Sequence, residues 1–264
     1  MRFKILFTFA LLSLLTVGAV NAQNGMDNVR LFQSFYYDAV ITPNTFAEAG
    51  LNYNDYEYGS NFNVGAKGAY QINPQIDVTL GLDFVSFSPE EGDGESGLSD
   101  LMVVGKYNLM PEDTKVSVGA YVTAPIGEEK VGQGNLNYGA FGAVRHPLDN
   151  GMTITANAGL GFYEYEEPGD FEIDPITFEI TETEGETKHE SFFMLGAGAI
   201  YPMNDQMNIV GEFVMKTEFD YMMISGGVDY LMGNNHLRAA LGIGLDDGAP
   251  DLAIWGGFLL PLGQ

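Results

Sequence analysis

Between Met152 and Tyr163 the chain alternates between two kinds of residue. Met152, Ile154, Ala156, Ala158, Leu160 and Phe162 fall on one face of an extended segment; Thr153, Thr155, Asn157, Gly159, Gly161 and Tyr163 fall on the other. A period of two residues means a strand whose faces meet different surroundings. The pattern recurs and predicts about twelve strands: Phe46–Tyr58, Asn61–Ile72, Gln75–Phe87, Leu98–Leu109, Lys115–Ile126, Leu136–His146, Met152–Tyr163, Ser191–Tyr201, Gln206–Lys216, Met222–Met232, His236–Leu245 and Asp251–Leu262. Most are long enough for a tilted strand to cross a bilayer.

The connections carry a second regularity. Asn73-Pro74, Met110 to Thr114, Pro147 to Gly151, Pro202 to Asp205 and Gly233-Asn234-Asn235 are short and rich in turn formers. Between them fall Ser88–Gly97, Gly127–Asn135, Glu164–Glu190, Thr217–Tyr221 and Asp246–Pro250. Alternation of short and long ends predicts an all-β, antiparallel transmembrane β-barrel, with tight periplasmic turns, longer outer loops and both termini periplasmic. The rows Val116 to Ile126, Ile76 to Phe84 and Phe62 to Ile72, taken every second residue, face outward. Their opposite rows hold Lys115, Ser117 and Thr123; Asp77, Thr79 and Asp83; Asn63, Lys67 and Gln71. A charge in hydrocarbon costs a few kcal/mol, so the polar rows face the lumen. Closure also pairs the backbone groups that an open edge would leave bare in lipid.

Three stretches read less simply. In Ser191–Tyr201, Phe192, Phe193, Met194 and Leu195 are consecutive, so its two faces are not separable by pattern. Phe171 to Thr181 alternates within the longest loop and reads as a hairpin or as strand extensions above the membrane. In Gln23 to Thr45, Val29, Leu31, Gln33, Phe35 and Tyr37 alternate. Counting it as a strand would break the even number expected of single-chain bacterial barrels. Residues 23–45 are therefore expected to tuck into the lumen or lie at its periplasmic mouth, ahead of a barrel over 46–264.

At the start, Arg2 and Lys4 precede an apolar stretch from Ile5 to Val17, and Val20-Asn21-Ala22 offers small residues to a signal peptidase. Residues 1–22 read as a secretory signal cleaved after Ala22. The chain has no cysteine, so burial and backbone pairing must hold the fold, although export would permit disulfides. With 36 acidic and 11 basic residues, the formal charge is −25, an argument against nucleic acid as a partner. Eleven of the acids lie between Glu164 and Glu190, opposed there by Lys188. Solubility of water-facing loops explains them better than cation capture does.

Candidate chemistry is sparse. His189-Glu190-Ser191 contains hydrolase-type residues, but neighbours on an extended chain point apart, and there is no Gly-x-Ser-x-Gly elbow. Asp246, Asp247 and Asp251, and Asp93 with Glu95, have carboxylates for a metal but no EF-hand spacing; turn formation accounts for them. No catalytic residue, metal site or cofactor is expected. The inward charges carry more weight. Lys67, Asp83, Lys106, Glu212, Asp229 and Arg238, with Lys216, are candidates to line the lumen. They could set selectivity, or pair across the barrel and plug it.

Gly97-Leu98-Ser99-Asp100-Leu101, Gly105-Lys106-Tyr107, Ala124-Pro125-Ile126-Gly127, then Gly132 and Gly134, and Gly244 to Asp251 before the last strand carry a resemblance. Over roughly Asn61 to Leu262 the chain resembles the outer-membrane proteins grouped under the MetA pathway of phenol degradation, often labelled transporters. The resemblance implies an outer-membrane barrel of a Gram-negative bacterium, taking up small, hydrophobic or aromatic molecules, with no catalytic residues to carry over. Its expected partners are the lipid bilayer, the barrel-assembly machinery and a small-molecule substrate. The chain ends Leu260-Pro261-Leu262-Gly263-Gln264, without the final aromatic residue of many barrels. The leading expectation is a passive channel or transporter. The alternatives are a structural or surface-interaction barrel with a closed lumen and a secreted soluble β-protein.

Overall fold

The structure, a computed structural model, describes residues 26–42, 45–128, 131–132, 134–167, 171–173, 180–182 and 185–262. Ala22 and the signal segment lie outside the described residues. The strands are β1 (Phe46–Tyr56), β2 (Gly59–Asn73), β3 (Ile76–Pro89), β4 (Glu95–Leu98), β5 (Leu101–Met110), β6 (Lys115–Ala124), β7 (Asn137–Pro147) and β8 (Thr153–Glu167). After them come β9 (Phe171–Ile173), β10 (Ile180–Glu182), β11 (Glu186–Asn204), β12 (Met207–Lys216), β13 (Tyr221–Met232), β14 (Asn235–Gly244) and β15 (Leu252–Pro261).

Each barrel strand pairs antiparallel with its neighbour, and β1 pairs with both β2 and β15, which closes the ring. Twelve strands form the wall; β4 is an extra strand on β3 above it. The fourth expected strand, from Leu98, is thus two pieces. Leu98 ends β4, and the wall resumes at Leu101; between them Ser99 donates its N–H to the Asp83 carbonyl at 2.8 Å and its hydroxyl accepts the Asp83 N–H at 3.0 Å, in place of a regular ladder. The expected loop Glu164–Glu190 is also shorter than the pattern indicated. β8 and β11 stay paired out to Glu167 and Glu186, and β9 with β10 makes the hairpin between them.

Parity along the strands sorts the two surfaces as the pattern predicted. Val118, Ile154, Leu80, Val64 and Leu241 are exposed on the outer face, while Ser117, Thr155 and Thr79, beside the first three, are buried within. Aromatic residues of outward parity gather in two bands. Tyr53, Phe62, Phe84, Tyr138 and Phe162 lie toward the long loops, and Tyr70, Tyr107, Tyr201, Tyr230 and Phe258 toward the short turns. An apolar belt between two aromatic girdles is how a barrel meets a bilayer and its interfaces. No helix among the described residues is long and apolar enough to span a membrane; this barrel crosses with strands.

Candidate permeation site in the lumen

Residues 26–42 form two short 3-10 turns, Met26–Asn28 and Phe35–Tyr37, and otherwise no regular structure. Such a segment leaves backbone groups without ladder partners, and buried ones must find them elsewhere. The barrel wall supplies them. Arg145 on β7 donates to the Met26 carbonyl at 2.7 Å and the Val29 carbonyl at 3.3 Å, and pairs with Asp38 at 2.7 Å. Arg238 on β14 donates to the carbonyls of Arg30 at 2.6 Å and Leu31 at 2.9 Å, and pairs with Glu48 on β1 at 2.7 Å. Lys106 on β5 donates to the Val40 carbonyl at 2.7 Å and lies 3.6 Å from Asp77 on β3, which accepts the Thr42 N–H at 2.9 Å. Ser117 on β6 donates to the Ala39 carbonyl.

Glu212 on β12 does the converse. Its carboxylate accepts the N–H groups of Phe32, Gln33 and Ser34, the last at 2.9 Å. Consecutive amides aimed at one anion are a strong, directional cradle. A segment bonded to strands on every side of the ring lies inside it. Residues 26–42 fill the lumen as a plug.

Apolar contacts complete the packing. Val29, Leu31 and Phe32 meet Ile200, Val210 and Ala240; Phe35 meets Phe46, Ala69 and Leu259; Ala39 meets Val104, Phe141 and Met194. Met194 explains why the faces of Ser191–Tyr201 did not separate by pattern. Phe193 and Leu195 face outward, while Phe192 and Met194 face a lumen that is itself apolar at that height.

The sequence-selected charges divide into two groups. Lys106, Glu212, Asp229 and Arg238 are buried. Three of them hold the plug, while Asp229 binds His236 at 2.7 Å and backs Arg238 at 3.4 Å. Lys67 and Asp83 are only half-buried. The Lys67 ammonium sits 4.7 Å from the Phe35 ring centroid, and both residues line a narrow cleft beside the plug. Arg145, Asp38 and Glu48 were not singled out from sequence. Arg145 shares inward parity with Phe141 and Ala143, so the period-two rule reaches it; Asp38 lies outside any strand and had no such signal.

Open space remains at both mouths. On the outer side, a chamber of about 660 Å³ is walled by aromatic rings, and a smaller cavity of about 210 Å³ forms its floor on top of the plug. A cleft of about 90 Å³ descends from that floor along the wall. There the inward positions of three adjacent strands are glycine, with Gly50 paired to both Gly65 and Gly257. The wall is bare of side chains on that strip. The cleft ends above Phe35, Phe46, Ala69 and Leu259. At the periplasmic end a cavity of about 590 Å³ lies under Arg145, bordered by the turns at Pro111 and Pro147. At the outer rim Glu190 accepts the hydroxyls of Tyr163 at 2.8 Å and Tyr165 at 2.9 Å. The Glu218 carboxyl beside it is held above its ordinary range by its hydrogen bond to Glu190 and by that neighbour's charge.

Residues 82–260 match the family described as "Putative MetA-pathway of phenol degradation". The chain belongs to that family. The matched stretch runs from within β3 to β15 and leaves the plug outside it. No curated protein matches the chain in sequence. Among solved structures, an outer-membrane channel from Pseudomonas putida F1 is similar over 88% of this chain and 100% of its own, at 12% identity and a TM-score of 0.61. The KdgM porin covers 83% of this chain and 99% of its own, at 10% identity and a TM-score of 0.55. The beta domain of the Bordetella autotransporter BrkA covers 83% and 99%, at 10% identity and a TM-score of 0.50. The chain is an outer-membrane β-barrel of the Gram-negative kind. Because channels and an autotransporter domain share this frame, function has to be argued from the lumen.

Proposed function

We propose that the protein is a passive outer-membrane channel for small molecules, with residues 26–42 as a plug that closes the route at rest. One observation carries this reading: the lumen is filled by a separate segment, not by the wall's own side chains, and a glycine-bare strip runs beside it. A barrel built only as a scaffold has no use for that division. Its twelve strands lie between the filled small barrels and the open porins, so a filler is needed if passage is to be controlled. In this reading Lys106, Arg145, Glu212 and Arg238 are latches, and Lys67 and Asp83 are the charges a solute meets in the cleft. In this reading the protein performs no bond chemistry of its own; the solved structures that share its fold include an outer-membrane channel and a porin. The family's phenol-pathway description favours small hydrophobic or aromatic solutes.

Planar-bilayer conductance tests the proposal. The intact protein should show small or rare openings, and a form lacking residues 26–42 should conduct strongly and steadily. A deletion form that is folded, heat-modifiable and still non-conducting would instead support the closed structural barrel.

A further inference from the structure

We propose that the chamber above the plug is a binding site for small single-ring aromatic acids, the ring held by the aromatic wall and the carboxylate by Lys216. The inference rests on the channel reading and adds a ligand class and a site to it.

The first observation is the wall. Tyr56, Tyr121, Tyr163, Phe192, Phe219 and Tyr221 all line the outer chamber. Several of these rings touch each other: Phe219 lies 5.0 Å from both Tyr163 and Phe192, centroid to centroid. Apolar surface kept facing a water-filled mouth is costly unless something covers it. Ring edges and faces at several angles accept another ring by offset or edge-on packing. The backbone is cut back to make room. A Cβ on Gly161 would lie 2.3 Å from both the Tyr121 hydroxyl and the Phe192 ring.

The second observation is a cation. Lys106, Arg145 and Arg238 each face a carboxylate inside the barrel. Lys216 has inward parity at the outer end of β12 and borders both the chamber and its floor. Its ammonium lies 5.2 Å from the Tyr221 ring centroid, and among the described residues no carboxylate stands within ion-pair distance of it. Asn52, on the floor, has a buried side-chain oxygen without a hydrogen-bond partner, so the floor is polar and incompletely satisfied. The chamber thus offers ring faces around one ammonium over a polar floor; the carboxylate in its lining, Asp100, is buried and accepts the Gly127 N–H at 3.0 Å. Lys216 pairs in register with Met194, and Glu190 is further out on that same strand, so the acidic rim lies above the cation and does not neutralise it.

A built-in reporter makes the test direct. The chain's single tryptophan, Trp255, lines the floor together with Lys216. Benzoate, benzyl alcohol and cyclohexanecarboxylate should be titrated into the full-length protein in detergent, read by Trp255 emission and by calorimetry. Benzoate should bind more tightly than both the uncharged ring and the saturated acid. Lys216→Met should weaken benzoate about tenfold or more, the loss of one charge-assisted hydrogen bond, and leave benzyl alcohol unchanged. Phe192→Ala should weaken both aromatic probes. Lys216→Gln, which retains a polar donor without the charge, gives a second reading in case Lys216→Met folds poorly; it should also lose the benzoate preference. Equal binding of benzoate and benzyl alcohol, no binding of benzoate, or an unchanged benzoate affinity in both Lys216 variants would overturn the proposal. Conductance of the same preparations separates the two readings. A conducting channel without benzoate binding refutes only the site, whereas absence of conductance in the plug-deleted form refutes the channel.

Discussion

The two halves of the lumen solve opposite problems. Above its mouth cavity the plug-filled half is packed and electrostatically specified: Arg145, Arg238, Lys106 and Glu212 each bind named atoms of the plug. The outer half has rings and space, and its cation, Lys216, lies against a ring face. Buried ion pairs and charge-assisted bonds tolerate little displacement, because each partner left alone in a dry interior is costly. Ring walls accept many placements at similar energy. In the channel we propose, this difference lets one barrel hold a stopper tightly and a solute loosely.

The strongest way to break this contrast is to remove a latch. Arg145→Ala leaves Asp38 and two carbonyls without their donor, and breaking a buried pair typically costs about 3–5 kcal/mol. Protease cleavage within 26–42 and conductance should both rise sharply, while the heat-modifiable barrel persists. The contrast also depends on which parity faces lipid. Val118→Arg should cost about 2–4 kcal/mol of membrane insertion and Thr123→Arg much less; comparable folding yields for the two would invert the assignment. In the outer half, Gly161→Ala should cost about 1–3 kcal/mol by overpacking against Tyr121 and Phe192, with plug protection unchanged, as measured by denaturant unfolding and proteolysis of the same sample. The smallest effect belongs to the outermost chain. Replacing residues 168–185 with a short glycine–serine linker should leave barrel stability nearly unaltered, since closure cost grows only logarithmically with loop length. A lost barrel would show that β9 and β10 support the wall.

Much of this architecture was legible because lipid imposes a period. Val116 to Ile126 and Met152 to Tyr163 had to alternate, and Pro147 to Gly151 had to turn, with Gly151 at φ 83°. Of the four proposed latches, Lys106, Glu212 and Arg238 were legible as inward charges but not as latches, and Arg145 was not singled out. Nothing local to Glu212 tells that it will meet the amides of residues 178 to 180 positions earlier. The spacing of Val29, Leu31, Gln33, Phe35 and Tyr37 imitates a strand, yet Leu31 and its neighbour Phe32 pack in one apolar cluster while Gln33 donates to Ser225. What sets it apart from a strand is where its carbonyls bond, to arginine and lysine side chains and not to a ladder. The aromatic chamber was hidden for a similar reason. Tyr56, Phe192 and Tyr221 come from distant strands, and only closure of the ring brings them together.

The central claim is that the plug must move for anything to pass. The chain has no cysteine, so a single introduced pair reports without background. A Cβ on Gly196 would lie 2.9 Å from the Ser34 hydroxyl oxygen, close enough for a disulfide in the double variant Ser34→Cys with Gly196→Cys once the Asn157 amide turns aside. Conductance should be measured on this protein in one bilayer, oxidised and then reduced. The plug account predicts silence when the bond is formed and restored openings after reduction. Openings of the same size and frequency with the bond confirmed intact would mean that solutes pass a fixed segment, and the account would be wrong.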